Sequence, residues 1–498
     1  MINKPLHYSE FGAVGDGVTD DFDAIIHTHT KANELGLPVY ADPNAVYYIG
    51  GADKTAIIQT DTDWNSAKFI IDDKSTENYK SSIFEVKSKL EPVRITDIQS
   101  IKKNQEQLDI NLSYDSLVVA VDNTTKRFIR EGLNVDNGSN QTDVFIISKD
   151  GYIDPNTAVI WDFDKITSLT AFPIDSEPLY LKGGIFTTVA NHAEAKYTYF
   201  KRNIAINRSN TIIDGLTHHI TDERSDHGAP YSGFIFIYNC ADVTMQNCKM
   251  TAHRTYTTIG AASLPVKMGT YDILADEAVN LVFKDCTQLN DITDDTNWGI
   301  FSSNYTKNIV FDNVHFSRFD AHKGTTNPKI LNSTIGHMGI KLIGSGTCLI
   351  ENTTVKCDHF AHLRADYGST WEGEIIIRNC EFAIRNDDFI PNDYVSTGPA
   401  VLWAEYSGLH DFGYKCFMPR KIVIDGLVIN DEQASDDCTG PRIFSPIHDN
   451  YFDEHFEEKY PYALPEVVEI KGIKTKSGKP WTLSDNMSLF KDVKIVEN

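Results

Sequence analysis

The chain has 498 residues, eight cysteines, 41% apolar side chains and a formal net charge of −24. It is long enough for a large core, and no apolar run approaches the roughly 18 residues of a membrane-spanning helix. The negative charge argues against a general binder of nucleic acid or of anionic membranes, and it obliges any anionic ligand to find a local basic site.

In chain order, the opening MINKPLHYSEFG carries no apolar leader, so a cytoplasmic or virion-borne protein is expected rather than a secreted one. Residues 8–50 begin YSEFGAVGDGVTDD, where Gly12, Gly15 and Gly17 permit a tight loop. Asp20 or Asp21 can cap a helix that starts near Phe22. Ala24, Ile25 and Ile26 would pack that helix over the open end of a sheet. Residues 1–75 read as this cap and the first repeats of a β-rich solenoid. Residues 76–185 are rich in Asp, Lys and Asn, show no repeat, and read as an inserted β-rich region packed beside the helix. Residues 186–498 read as the main solenoid, with strand-like runs such as RNIAINRSNTIIDGL, AVNLVFKDCTQL, EIIIRNCEF and RKIVIDGLVI. The recurring pattern is apolar-x-apolar-x-Asn/Asp/Gly before a turn, and strict alternation puts the apolar set inside.

The richest stretch is 307–368. Three runs, Ile309–Phe316, Lys329–Ile335 and Cys348–Val355, are spaced near 20 residues with no helical period between them. That spacing predicts one run per coil of a β-solenoid. Equivalent positions of neighbouring coils then lie about 4.8 Å apart, so the clusters that follow the runs merge into one surface. The clusters are Arg318, Asp320, His322 and Lys323; then His337 and Lys341; then Asp358, His359, His362, Arg364 and Asp366, with Tyr367 and Trp371 close behind. Upstream coils would add His253, Arg254, Asp291, Asp294, Asp295 and Trp298 to the same face. Tyr256, Tyr394, Trp403 and Tyr406 sit in longer segments that would wall a groove. The cysteines include no CxxC pair, so neither a zinc site nor a disulfide framework is expected. Cys248, Cys286 and Cys380 each follow an Asn or Asp and read as stacked, reduced, buried thiols.

The FGAVGDGVTDD opening, with the helix and the Pro38-Val39-Tyr40 strand after it, resembles the start of the pectate-lyase-like superfamily. That resemblance implies an all-β, right-handed parallel β-helix. The superfamily includes polysaccharide lyases and hydrolases, mannuronan C5-epimerases and phage tail spikes. The segment SRFDAHKG resembles the Tyr-Gly-Phe-Asp-Pro-His-Glu motif of the epimerases at Phe319, Asp320 and His322, with Ser317 in place of the Tyr. Gly339-Ile340-Lys341-Leu342 resembles the next element of that family, with Lys in place of its Asp. Asp358-His359-Phe360 loosely echoes its Arg-His-Gly element. Lys341 and Leu363-Arg364 also resemble the Lys and Leu-Arg-His-Gly elements of chondroitinase-B-like alginate lyases, one coil apart.

These resemblances imply a carbohydrate-active enzyme on a uronate-containing polysaccharide or oligosaccharide, acting by β-elimination. Lys341 would be the base, its pKa lowered by Arg364 and Lys323. His322 is an alternative base or acid, and Arg364 or Arg318 would pair with the sugar carboxylate. His337 belongs to the same catalytic set. A glycoside hydrolase would instead use Asp291, Asp294 or Asp295 with Asp320 as paired carboxyl groups. Substrate contacts are expected from His253, Arg254, Trp298, Arg318, Lys323, His359, His362, Asp366, Tyr367 and Trp371. The lyase family's calcium would have to find Asp320, Asp358 or Asp366; no calcium loop is present, so no cofactor and no metal are expected. A third reading is a tail-spike-like protein that only binds glycan, for which a homotrimer is the expected assembly. No nucleic acid or membrane partner is expected.

Overall fold

The computed structural model describes residues 4–224, 228–385, 399–405, 408–432, 440–445, 455, 457–484, 487, 490 and 492–497. One long parallel sheet winds through the chain on both sides of residues 88–178, its strands arranged in three ladders that form the faces of a helical coil. Ladder one stacks Thr62–Asp63, Leu179–Lys182, Thr211–Asp214, Ala241–Gln246, Val279–Lys284, Lys307–Asp312 and Lys329–Leu331. Ladder two stacks Lys68–Asp72, Ile185–Val189 and Thr217–Thr221, and continues to Thr354–Cys357. Ladder three stacks Phe84–Lys87, Ile204–Asn207, Ile235–Tyr238, Ile273–Asp276 and Phe301–Asn304, and continues to His359–Leu363. The alternating pattern delivers Ile206, Ile237, Ala275, Phe301, Phe319, Ile340 and Ala361 to a dry interior.

The three runs expected as single strands are each two strands. Ile309–Phe316 breaks at Asn313, Lys329–Ile335 at Asn332 and Cys348–Val355 at Asn352. These asparagines have φ of 54°, 52° and 50°. The left-handed conformation turns the chain from ladder one to ladder two, and Asn tolerates it far better than a β-branched residue does. The same corner carries Gly215, Asn247, Asp285, Asn379 and Gly426, all with positive φ, which explains the Asn/Asp/Gly that closes each run. The corner amides also bridge coils, Asn313 Nδ2 donating to Asp285 Oδ1 at 2.6 Å and Asn332 Nδ2 to Asp312 Oδ1 at 2.8 Å. Cys248, Cys286 and Cys380 follow this corner and point inward. All seven described cysteines are buried free thiols; Cys438 lies outside the described residues.

At the N-terminus the helix Phe22–Leu35 closes the coil, burying Phe22, Ile25, His29 and Ala32 while Ala24 and Ile26 are half-buried. Asp20 Oδ1 accepts from the Phe22 amide at 3.0 Å, and Asp21 instead ties the glycine loop by accepting from Val14 and Gly15. No described helix is long and apolar enough to cross a membrane.

Between Phe84–Lys87 and Leu179–Lys182 the chain leaves the solenoid. There it builds a four-stranded antiparallel sheet from Val93–Arg94, Ser116–Arg127, Ser139–Ile147 and Ser168–Pro173. One face of this sheet has its own core around Val118, Phe145 and Phe163. The other face lays Leu117, Val119 and Val144 on Ala241 and Val279 of ladder one. Lys307 pins the seam: its buried ammonium lies 2.8 Å from Asp143 and donates to the Ala158 carbonyl at 2.7 Å.

Candidate functional site

The strand His315–Lys323 continues without interruption from ladder two into ladder three. Phe319 and Ala321 enter the core, and by alternation Arg318, Asp320 and His322 lie on the opposite face. Register then aligns one row of outward positions across five coils: Ser302, Asp320, Lys341, His362 and Trp403.

Within this row Asp320 is fully buried. Arg318 donates to its Oδ2 at 2.5 Å, Tyr271 donates to the same oxygen at 2.7 Å, and Arg364 donates to Oδ1 at 3.0 Å. Burial opposes ionisation, but the two guanidinium groups outweigh it and hold the carboxyl well below the usual carboxylate range. Arg364 also grips both oxygens of Asp366, at 3.1 and 2.9 Å. Arg130, from the inserted sheet, reaches Asp366 at 2.7 Å. The result is an alternating chain, Arg318–Asp320–Arg364–Asp366–Arg130. His322 is saturated beside it. Its Nδ1 faces Asn304 Oδ1 at 2.9 Å and its Nε2 faces the Tyr367 hydroxyl at 3.3 Å. Burial and then Arg364 keep its ring neutral.

Lys341 differs from all of these. Its ammonium makes no hydrogen bond or ion pair to a described residue. Burial, reinforced by Arg318 and Arg364, pushes its pKa below the ordinary lysine value. It stands in the wall of a cavity of about 290 Å³ that is also lined by Lys267, Arg385, Trp298, Asp295, Asp358 and His359. The cavity therefore gathers three cationic side chains beside two carboxylates. His359 Nδ1 lies 2.6 Å from Asp358 Oδ1, and its Nε2 is buried with no described partner. His362 has no described partner at either ring nitrogen, and burial followed by Lys341 keeps it neutral.

The other expected residues divide by place. Trp298, His337 and Asp295 line the cavity, but His337 is spent on backbone, its two ring nitrogens each 3.0 Å from the carbonyls of Ile292 and Asn297. Asp294 and Asp291 cap their own loop by accepting from Thr296 and Thr293. His253 sits in a separate buried cluster, 2.6 Å from Glu223 and 3.5 Å from Asp272. The exposed Arg254 donates its backbone amide to the same Glu223. Lys323 turns to the inserted sheet and donates to Ser139. Tyr367 is buried against Phe128 of the insertion. Trp371 lies on ladder one with its indole donating to the Gly346 carbonyl, away from the row. Tyr256 starts a hairpin, Tyr256–Ile259 with Pro265–Met268, beside the cavity. Tyr394 and Tyr406 lie outside the described residues. Tyr271, Lys267, Arg385, Asn304 and Arg130 escaped the sequence reading. Tyr271 and Trp298 share a signal, each standing two or three residues ahead of a ladder-three strand.

The carboxylates considered for calcium do not suit it. Asp320 and Asp366 each carry two guanidinium partners, which occupy the place of a dication. Cys357, Asp358 and His359 bring three donor atoms within 4.8 Å, but they bond one another. The Cys357 thiol donates to the His337 carbonyl and Asp358 binds His359, so no metal is assigned to them.

No protein-family model and no curated protein matches the sequence. Solved structures do match in fold. The tailspike protein gp49 of Pseudomonas phage LKA1 aligns with a TM-score of 0.57 at 14% identity, covering 98% of this chain and 84% of its own. The fold is a right-handed parallel β-helix. The tailspike gp61 of Pseudomonas phage phi297 aligns at 0.53 and 12% identity over 95% and 81% of the two chains. The gp54 tailspike of Acinetobacter baumannii bacteriophage AP22, solved in complex with A. baumannii capsular saccharide, aligns at 0.53 and 10% identity over 99% and 79%.

Proposed function

We propose that the groove takes an acidic saccharide and cleaves it by β-elimination, with Lys341 as the base. The observation that carries this reading is the Lys341 amine, without a described partner in the cavity wall, among neighbours that favour its neutral form. A general base needs a pKa near the working pH, and a free lysine reaches that only through burial or nearby cations. Lys267 and Arg385 flank the space where a uronate carboxylate would sit. Arg318 and Arg364, first expected in that role, are committed to Asp320. Lys341 removes the C5 proton, its bonding pair becomes the C4=C5 double bond, and the C4–O bond breaks. His359, held through Nδ1 by Asp358, gives the leaving oxygen its proton. Asp320 acts as an anchor that aligns the two arginines. The saccharide bound to the AP22 tailspike, a protein of the same fold, supports a glycan in this groove.

The rival readings keep the groove and change the chemistry. Hydrolysis would draw on Asp295 and Asp358, the two carboxylates that line the cavity. Pure binding, as in a tail-spike-like adhesin, would need neither. A panel of uronate polysaccharides, assayed for the ultraviolet absorbance of unsaturated products and for new reducing ends, separates the three. Elimination predicts absorbance that Lys341→Ala abolishes. Reducing ends without absorbance would move the chemistry to the carboxylates, and silence in both assays would leave binding.

A further inference from the structure

The inserted sheet reaches the groove through one hairpin tip. Its long strands Ser116–Arg127 and Ser139–Ile147 are joined by residues 128–138, and this tip touches the Arg–Asp chain on one side and the hairpin of the cavity wall on the other. On one side Phe128 packs between Tyr305, Tyr367 and Tyr414. Arg130 pairs with Asp366, and the Glu131 amide donates to the Asp366 carbonyl at 3.1 Å. On the other side the Leu133 carbonyl accepts from Ala262, in the turn of the hairpin that carries Lys267 into the cavity wall.

We propose that Arg130 is a positioning residue for the groove: it holds Asp366, Asp366 aims Arg364, and Arg364 with Arg318 fixes Asp320 beside Lys341. This rests on the reading of Lys341 as the base. The geometry gives Arg364 two carboxylates to share. With Arg130 present, a second guanidinium also meets the Asp366 charge, and Arg364 remains on Asp320. Without it, Asp366 draws Arg364 away, Asp320 is less compensated, and its charge stabilises the Lys341 ammonium.

The test compares wild type with Arg130→Gln and Arg130→Lys in the full chain. It reads the pH dependence of kcat/KM on a substrate from the panel, and the titration of the Lys341 side chain by NMR in lysine-labelled protein. Lys341 is faced by Arg318 and Asp320 from the coil before it, and by Cys357, Asp358, His362 and Arg364 from the coil after it. Asp295, Lys267 and Arg385 line the same cavity. All of these stay unchanged in both variants. Arg130→Gln is expected to move the acidic limb and the Lys341 titration to higher pH and to lower kcat/KM at neutral pH by about tenfold, and Arg130→Lys to restore most of both. A Lys341 titration that does not move in Arg130→Gln, whatever the change in melting temperature, would overturn the proposal. The NMR titration needs no substrate. A limb that stays fixed in an active enzyme therefore defeats this inference alone, whereas a titration that moves in an enzyme making no unsaturated product defeats only the elimination reading.

Discussion

Two buried lysines, Lys307 and Lys341, show how one fold uses the same side chain for opposite ends. Lys307 closes the seam with the inserted sheet, where one carboxylate and two carbonyls surround its ammonium. Lys341, two coils' worth of chain later, faces a cavity and bonds to nothing described. Burial lowers the pKa of both, but Asp143 pulls Lys307 back toward the charged form while Arg318 and Arg364 push Lys341 further from it. A saturated buried charge fixes structure, whereas an unsaturated one beside a cavity is available for chemistry. The difference lies in the neighbours, not in the residue type.

The strongest way to break this comparison is to truncate each lysine in turn. Lys341→Ala is expected to cost about 10²–10⁴ in kcat with little change in melting temperature, measured by product absorbance beside calorimetry. Lys307→Ala should do the reverse. It strands a buried Asp143 and costs about 3–5 kcal/mol of stability, read from denaturant unfolding, with turnover of the surviving folded protein near wild type. Should Lys307→Ala remove turnover while stability holds, the assignment of the two roles is inverted.

Much of this was legible in the sequence. Alternation and the Asn/Asp/Gly corners announced the solenoid, and the spacing of Lys341 and Arg364 placed them one coil apart. Register then made neighbours of Asp320, Lys341 and His362, as coil stacking requires. What the sequence hid was commitment. Nothing local tells that Asp320 is gripped by Arg318 and Arg364, or that His337 is spent on carbonyls, because those partners come from other coils. Arg130 was hidden for a different reason, since the inserted sheet has no repeat from which a position could be inferred. Trp371 misled because closeness to Tyr367 in sequence does not survive the turn from ladder three to ladder one.

A smaller effect separates the groove from the second buried cluster. His253, between Glu223 and Asp272 and near His218, has its pKa raised to about 9, since the two carboxylates outweigh its burial. Its folded value lies above the unfolded one of about 6.5. Its contribution to stability is therefore complete below about pH 6.5 and is lost as pH rises through about 9. Unfolding free energies across that window should fall with pH in wild type and flatten in His253→Gln. Asp320 has the opposite sign: its lowered pKa gives stability that is present above about pH 3.9 and fades as pH falls. The smallest effect is expected at Asp294, where Asp294→Ala removes the acceptor of turn hydrogen bonds from Thr296 and Asn297, worth about 0.5–1.5 kcal/mol, and should leave turnover within a few fold. A hundredfold loss there would shift the chemistry toward the acidic loop.

The central claim is that Lys341 takes the proton from C5 of a uronate, and proton exchange at that carbon reports it directly. A uronate ligand without a 4-linked leaving group, incubated in D2O, cannot be cleaved, so only the first step remains. Wild type is expected to replace the C5 proton with deuterium, seen as loss of its NMR signal, and Lys341→Ala to leave it intact. A C5 signal that persists with wild type under binding conditions, or that is lost equally with Lys341→Ala, would contradict the account.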